Sequence, residues 1–169
     1  TDLRGLKLDR LRPYAALDGS GVSPVQALEE AGVEDAAAQI ALGPNAGVVV
    51  QRDADTILAT LDPEVAAQGV IFTDLATAYR EHPELVNRYF MTRAVPAAFG
   101  KFEALHAAFW QGGSFLYVPK GVSVEAPFRT FSLISEPGAA VFSHTLAVIE
   151  EGAEAFLADA FRSPSLEGQ

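Results

Sequence analysis

The stretch KFEALHAAFWQGGSFLYVPKGVSVEAP (residues 101–127) decides how the chain is interpreted. Apolar residues recur at helical spacing through 101–111, and two consecutive glycines, Gly112 and Gly113, then end the helical period. The residues after them alternate with a period of two, which is typical of β-strands. The stretch therefore predicts a helix that passes into extended structure at a glycine hinge, with the only tryptophan, Trp110, at the junction.

The sequence before this stretch predicts a small α/β region followed by helices. Runs rich in β-branched residues predict strands, and a capping residue followed by helical spacing predicts a helix. The predicted elements are a helix over 24–31, strands over 47–51, 56–61 and 69–73, a helical turn over 63–68, and helices over 74–81 and 83–90.

The C-terminal part of the chain contains a weak internal repeat. LYVPKGVSVEAPF (116–128) aligns with LAVIEEGAEAFLA (146–158), so that Leu, Val and Gly recur with a period of about 30 residues. A strand, a glycine turn and a second strand at this period are typical of the coils of a β-solenoid, where each coil buries its face on the next. Because such a fold needs more than two coils, we expect the chain to be part of a longer protein.

The composition argues against several classes of function. The chain has 22 acidic and 12 basic residues, a net charge of −10 and no cluster of Lys or Arg, which argues against a nucleic-acid partner or an anionic membrane surface. It has no cysteine, so disulfides, thiolate metal sites and cysteine-held iron–sulfur clusters are excluded within this segment. No apolar run reaches the length of about 18 residues that predicts a transmembrane helix.

The three histidines are far apart in the sequence, and each has a structural interpretation. His82 precedes Pro83 and is predicted to be a surface residue that caps a helix. His106 lies off the apolar face of its helix and is predicted to face solvent. His144 alternates with apolar residues such as Phe142, which predicts a hydrogen-bonded core or interface histidine rather than a ligand.

One group of residues loosely resembles a cupin metal motif, which needs a second histidine two residues after the first. Leu146 occupies that position, so the sequence predicts no metal-binding residue here. The residues concerned are Gly138, His144, Glu150 and Gly152.

Two further features resemble parts of catalytic sites. Glu150, Glu151 and Glu154 surround a glycine turn, and paired carboxylates can do acid–base work, but no nucleophile or basic partner accompanies them in the sequence. Lys120 in Pro-Lys-Gly lacks the rest of a phosphate-binding loop. We therefore interpret the acidic turn as solvated, and predict no catalytic or cofactor-binding residue in this segment.

Three long segments carry a resemblance to a known family. They are GVIFTDLATAYREHPELVNRYF (69–90), KFEALHAAFWQGGSFLYVPKGVSVEAPF (101–128) and TLAVIEEGAEAFLADAF (145–161). The most specific part is a helix, two glycines and FLYVPKGV, and the EEGAEA turn supports it. Together they resemble the SufB/SufD family of iron–sulfur cluster assembly proteins.

Two details of the resemblance favour the SufD branch. The opening TDLRGL (1–6) is similar to SufD sequences. SufB-type sequences commonly carry Glu-Gly-Cys where this chain has Asp159-Ala160-Phe161. The absent thiolate argues against a cluster-ligand role for this segment.

The resemblance implies an α+β fold, in which a helical/α-β N-terminal domain (1–112) is followed by the first coils of a right-handed parallel β-helix (113–169). It implies a non-catalytic scaffold in a cytoplasmic complex with a SufB-like paralogue and a SufC-like ATPase; a homodimer is also compatible. No cofactor is expected in this segment, because the full complex assembles the iron–sulfur cluster. We expect Trp110 to be largely buried at the junction, so that Trp110→Ala costs about 3–5 kcal/mol.

Two other functions stay open at this point. One is a cupin-like metal-dependent enzyme that uses His144 and Glu150. The other is a generic protein-interaction domain unrelated to sulfur metabolism.

Overall fold

The computed structural model describes residues 12–13, 43–135 and 138–163, and these form a mixed α/β architecture of sheets and short helices. The helix predicted over 24–31 lies outside the described residues. The helices are α1 (Pro63–Ala66), α2 (Leu75–Glu81), α3 (Pro83–Tyr89) and α4 (Lys101–Phe109). The strands are β1 (Arg12–Pro13), β2 (Gly47–Arg52), β3 (Asp55–Leu61), β4 (Ile71–Asp74), β5 (Ser114–Val118), β6 (Phe128–Leu133), β7 (Ala139–Ala140), β8 (Leu146–Ile149) and β9 (Leu157–Arg162).

The strands are arranged in one four-stranded sheet, one three-stranded sheet and one short pair within the described part of the chain. The larger sheet has the order β3-β2-β6-β9, in which β2 and β3 are antiparallel while β2-β6 and β6-β9 are parallel. The second has the order β4-β5-β8, with β4-β5 antiparallel and β5-β8 parallel. The short pair joins β1 to β7. The predicted domain boundary between residues 112 and 113 stays a prediction.

The parallel pairs place the two copies of the sequence repeat side by side. Leu116 pairs with Ala147, and Phe128 pairs with Leu157. The sequence alignment assumed that equivalent residues of the two copies are always the same number of residues apart. In the structure, contacting residues of the two copies are 31 residues apart at the turn and 29 residues apart between β6 and β9. The predicted repeat is therefore a repeat of structure, with a small change of register along each copy.

The main core lies between the two larger sheets. The rings of Phe72 on β4 and Phe128 on β6 pack with their centroids 5.0 Å apart. Val49 and Leu116 complete this buried cluster from β2 and β5. Each such side chain contributes about 1.5–3 kcal/mol when it is fully buried, so this layer is the main source of the stability of the fold.

The helices α2 and α3 cover the end of the smaller sheet. Asp74 caps α2 as predicted, because its side chain accepts a hydrogen bond from the backbone N–H of Thr77 at 2.9 Å. Leu75 and Val86 are buried together with Phe115 of β5. None of the described helices is long and apolar enough to cross a bilayer.

The helix α4 packs more loosely than its sequence predicts. Its helical spacing predicts an apolar face, yet no residue of α4 is buried, and the side chains of Phe102 and Phe109 are 46% and 41% exposed. The predicted helix is therefore present, but periodicity identifies only the apolar side of a helix and not what packs against it. Trp110, directly after α4, is partly buried and packs edge-on against Phe90 with ring centroids 4.9 Å apart.

Candidate functional site

A buried glutamine fixes the glycine hinge that the sequence predicts. The side chain of Gln51 on β2 accepts a hydrogen bond from the N–H of Gly113 at 2.7 Å and donates one to its carbonyl oxygen at 3.2 Å. Gly113 has a φ of +101°, and a Cβ atom there would overlap the backbone carbonyl group of His144. Only glycine fits this position. Gly113, directly before β5, therefore contacts Gln51 of β2 on one side and the backbone of His144 on the other.

Two histidines meet beside this hinge. The Nε2 atom of His106 on α4 lies 3.0 Å from the Nδ1 atom of His144, which is 38 residues further along the chain. The ring of Phe90 packs edge-on against His144 at 4.8 Å, and Phe142 packs against His106 at 6.3 Å. Burial lowers the pKa of both imidazoles, and the charge of His106 further lowers the pKa of His144. Both effects favour the neutral rings.

This pair corrects the interpretation of the histidines. The prediction that His106 faces solvent is wrong, since it is partly buried and hydrogen-bonded to His144. His82 lies between α2 and α3, where its carbonyl oxygen accepts hydrogen bonds from later residues, but its side chain makes no capping hydrogen bond. No local pattern relates residues 106 and 144, because their contact depends on how α4 docks.

The turns of the two repeat copies are tied together by polar contacts. The ammonium group of Lys120 lies 2.7 Å from a carboxylate oxygen of Glu151, and both side chains are largely exposed. Glu150 accepts hydrogen bonds from the hydroxyl of Tyr117 at 2.9 Å and from the backbone N–H of Lys120 at 3.2 Å. The hydrogen bond to this carboxylate raises the pKa of Tyr117. The sequence showed no basic partner for the acidic turn, and the structure corrects this, because Lys120 is that partner.

A second polar contact joins β6 and β9 at Asp159. The carboxylate of Asp159 accepts a hydrogen bond from the hydroxyl of Thr130 and another from Thr145 at 3.2 Å. Sequence reasoning missed this role, since Thr130 and Asp159 are 29 residues apart and become neighbours only through the parallel pairing. One oxygen of Asp159 thus joins β9 to β6, and the other binds Thr145, directly before β8.

The residues of the cupin-like hypothesis bind different partners. His144 contacts His106, whereas Glu150 is bound by Tyr117 and by the backbone of Lys120. Within residues 12–13, 43–135 and 138–163, there is no group of three or more His, Cys, Asp or Glu side chains that could hold a metal ion.

The outer strands β8 and β9 form the most distinctive surface of the described chain. They terminate the two larger sheets on the same side, because β8 follows β5 and β9 follows β6 in parallel register. Ile149, Phe156 and Phe161 are 43%, 64% and 54% exposed along this surface. An outer strand presents backbone N–H and C=O groups that can pair with a further strand. We call β8, β9 and these three side chains the open edge.

A groove of about 700 Å³ runs along the β8 part of the open edge. The strand itself forms one wall, and the end of α3 with the turn after it forms the other, including Arg88 and Arg93. The groove therefore combines apolar strand surface with two guanidinium groups.

Comparison with known proteins confirms the resemblance that the sequence carries. Residues 50–130 match the family model described as the SufBD protein N-terminal region. The chain is 46% identical over 102 residues to the iron–sulfur cluster assembly protein SufD of Bacillus subtilis. The aligned residues make up 60% of this chain and 23% of that protein.

Two other relatives carry the same family description. An iron–sulfur cluster assembly SufBD family protein of Mycobacterium tuberculosis is 41% identical over 107 residues, which is 63% of this chain and 12% of that protein. One of Staphylococcus saprophyticus is 40% identical over 108 residues, 64% of this chain and 23% of that protein. The chain thus spans less than a quarter of the length of each of these relatives.

Proposed function

We propose that this chain is part of a SufD-like, non-catalytic scaffold of the Suf iron–sulfur cluster assembly complex, because residues 50–130 match the family model of the SufBD protein N-terminal region. The similarity to a protein named SufD supports the branch. The hydrophobic residue Phe161, at the position of the SufB-type cysteine, also supports it, since a phenyl ring cannot ligate iron.

The observation that carries the proposal is the parallel stacking of the repeat. Each copy consists of a strand, a glycine turn and a second strand, and the two copies pair in parallel at a spacing of about 30 residues. Connections between parallel strands of one sheet are right-handed in about 98% of cases. We infer that the two copies are the first coils of a right-handed parallel β-helix, which further coils extend from the open edge.

The partners follow from the same proposal. A SufB-like paralogue and a SufC-like ATPase join the scaffold in the cytoplasm, and the cluster is assembled by the whole complex rather than by this segment. The polar contacts of Glu150 and Asp159 support a structural role, because each carboxylate binds groups of the same chain. Affinity purification of the full-length protein is expected to recover both partners; recovery of neither, under conditions that preserve such complexes, contradicts the proposal.

The covering of the open edge is tested by cysteine labelling, since this chain has no cysteine of its own. Phe161→Cys is introduced into the chain of 169 residues and into the full-length protein whose other cysteines have been replaced. Further coils should slow the reaction with a maleimide by about tenfold or more, as expected for a buried thiol.

Phe102→Cys is the matched control, because Phe102 is also a half-exposed aromatic residue but lies on α4, away from the open edge. Its labelling should be equal in the two proteins. Equal labelling of position 161 in both proteins would show that no further coil covers β9, and the β-helix proposal would be rejected.

A further inference from the structure

The attachment of α4 depends on few contacts. No side chain of this helix is buried, so it gains little from apolar burial. Around its C-terminal end, the backbone N–H of Gln111 donates to the carbonyl oxygen of Phe142 at 3.0 Å, and the rings of Phe109 and Phe142 lie 6.1 Å apart. Within the described part of the chain, the hydrogen bond between His106 and His144 joins a side chain of α4 to the segment 141–145.

The histidine pair can form only in certain protonation states. A hydrogen bond between two imidazole nitrogens needs a proton on one and a lone pair on the other, so at least one ring must be neutral. When both rings are protonated, the two facing nitrogens are both donors, and two positive charges lie 3.0 Å apart in a partly buried site. Acid therefore converts an attractive contact into a repulsive one.

Among the described residues, the other titratable groups on the elements around the pair are Lys101 and Glu103 of α4, Arg88 and Tyr89 of α3, and Asp159 of β9, which binds Thr145 next to His144. None of them perturbs the pKa of either imidazole; burial lowers both pKa values, and the charge of His106 adds to the effect on His144.

We propose that the His106–His144 pair is an acid-sensitive clamp, which holds α4 against the segment 141–145 at neutral pH and releases the helix in mild acid. The release is local, because the cores between the sheets contain no histidine. The ring of Phe90 and the indole of Trp110 would then lose their cover, so acid would expose an aromatic surface beside the glycine hinge.

The direction of the pH dependence follows from the lowered pKa values. The docked state binds fewer protons than the released state, whose imidazoles titrate near their ordinary pKa of about 6.5. The clamp is thus fully effective above about pH 6.5, and its contribution is lost as the pH falls through the lower pKa values of the docked state. Between these limits, release is favoured by up to about tenfold per pH unit for each proton taken up.

Amide hydrogen exchange measured by mass spectrometry between pH 7.5 and 5 tests the clamp in the whole chain. The protection factor of 101–109 is the intrinsic exchange rate at each pH divided by the observed rate, which removes the intrinsic pH dependence of exchange, and the protection factor of β2 reports on global unfolding. In the unmodified chain the protection factor of 101–109 should fall by up to about tenfold per pH unit for each proton taken up below pH 6.5, and it should stay below that of β2 at every pH.

The double variant His106→Gln/His144→Gln removes both titrating groups, while glutamine keeps a hydrogen-bonding side chain. It should make the protection factor of 101–109 independent of pH, whereas the control His82→Gln should behave like the unmodified chain. The proposal is overturned if the protection factor of 101–109 is constant in the unmodified chain, if its pH dependence survives in the double variant, or if 101–109 and β2 have equal protection factors, which would mean that α4 opens only when the whole chain unfolds.

Discussion

The sheet core and α4 respond differently to the same kind of sequence pattern. Phe128 on β6 and Phe102 on α4 are both aromatic residues at the regular spacing of their elements. Phe128 is completely buried between two sheets, whereas Phe102 is 46% exposed. The comparison teaches that regularly spaced apolar residues show which side of an element prefers to be buried. Whether that side is buried depends on a second sheet or helix that packs against it at the right distance.

The largest expected effect tests the buried side of this comparison. Phe128→Ala should lower the free energy of unfolding by about 3–5 kcal/mol, because it opens a cavity beside Phe72 in the main core. Phe102→Ala should change it by less than about 0.5 kcal/mol, as is usual for exposed positions. Urea denaturation of both variants measures the difference; similar losses in both would mean that α4 is buried after all.

The hinge between the two regions gives the next effect. Gly113→Ala should cost about 2–4 kcal/mol, since alanine would be strained at this φ and its Cβ would overlap the backbone of His144. Gly121→Ala is the control, because Gly121 also has a positive φ but has open space around it, so only the conformational cost of about 1–2 kcal/mol remains. If thermal unfolding shows that the two variants lose the same stability, the backbone around Gly113 can move away from the added methyl group, and the predicted overlap is wrong.

The smallest effect lies on the helical side, at Trp110. Since its side chain is only partly buried, Trp110→Ala should cost about 1–2 kcal/mol rather than the 3–5 kcal/mol expected of a buried tryptophan. Trp110→Phe, which can keep an edge-on contact with Phe90, should cost less than half as much. A loss above about 3 kcal/mol in urea denaturation would place Trp110 in the core and remove the contrast between the two regions.

Much of the local structure is predictable from short-range signals. The strands over 47–52 and 114–118 and the capped helix α2 follow from β-branched runs, alternation and the position of Asp74. These signals act within a few residues, where sterics and capping hydrogen bonds decide the conformation.

The pairing of distant segments is not predictable in this way. Neither the parallel pairing of β2 with β6 nor the meeting of His106 with His144 leaves a periodic trace in the sequence. Both depend on how whole elements dock, and a single sequence contains no direct record of that arrangement. The carboxylate of Asp159 was missed for the same reason, whereas the repeat exposed the β5-β8 and β6-β9 pairs because similar segments recur.

The parallel pairing of β2 with β6 also has a consequence during synthesis. The hairpin of β2 and β3 is local, but the other edge of β2 pairs with β6, and the hydrogen bond beside that pairing joins Asp53 to Ser135, which are 82 residues apart. At a synthesis rate of about 5–20 residues per second, the hairpin waits about 4–16 s for its partner strand. During that interval the edge of β2 that pairs with β6 is unpaired in the nascent chain. A chaperone or an incorrect strand can therefore bind β2 before β6 has been synthesised.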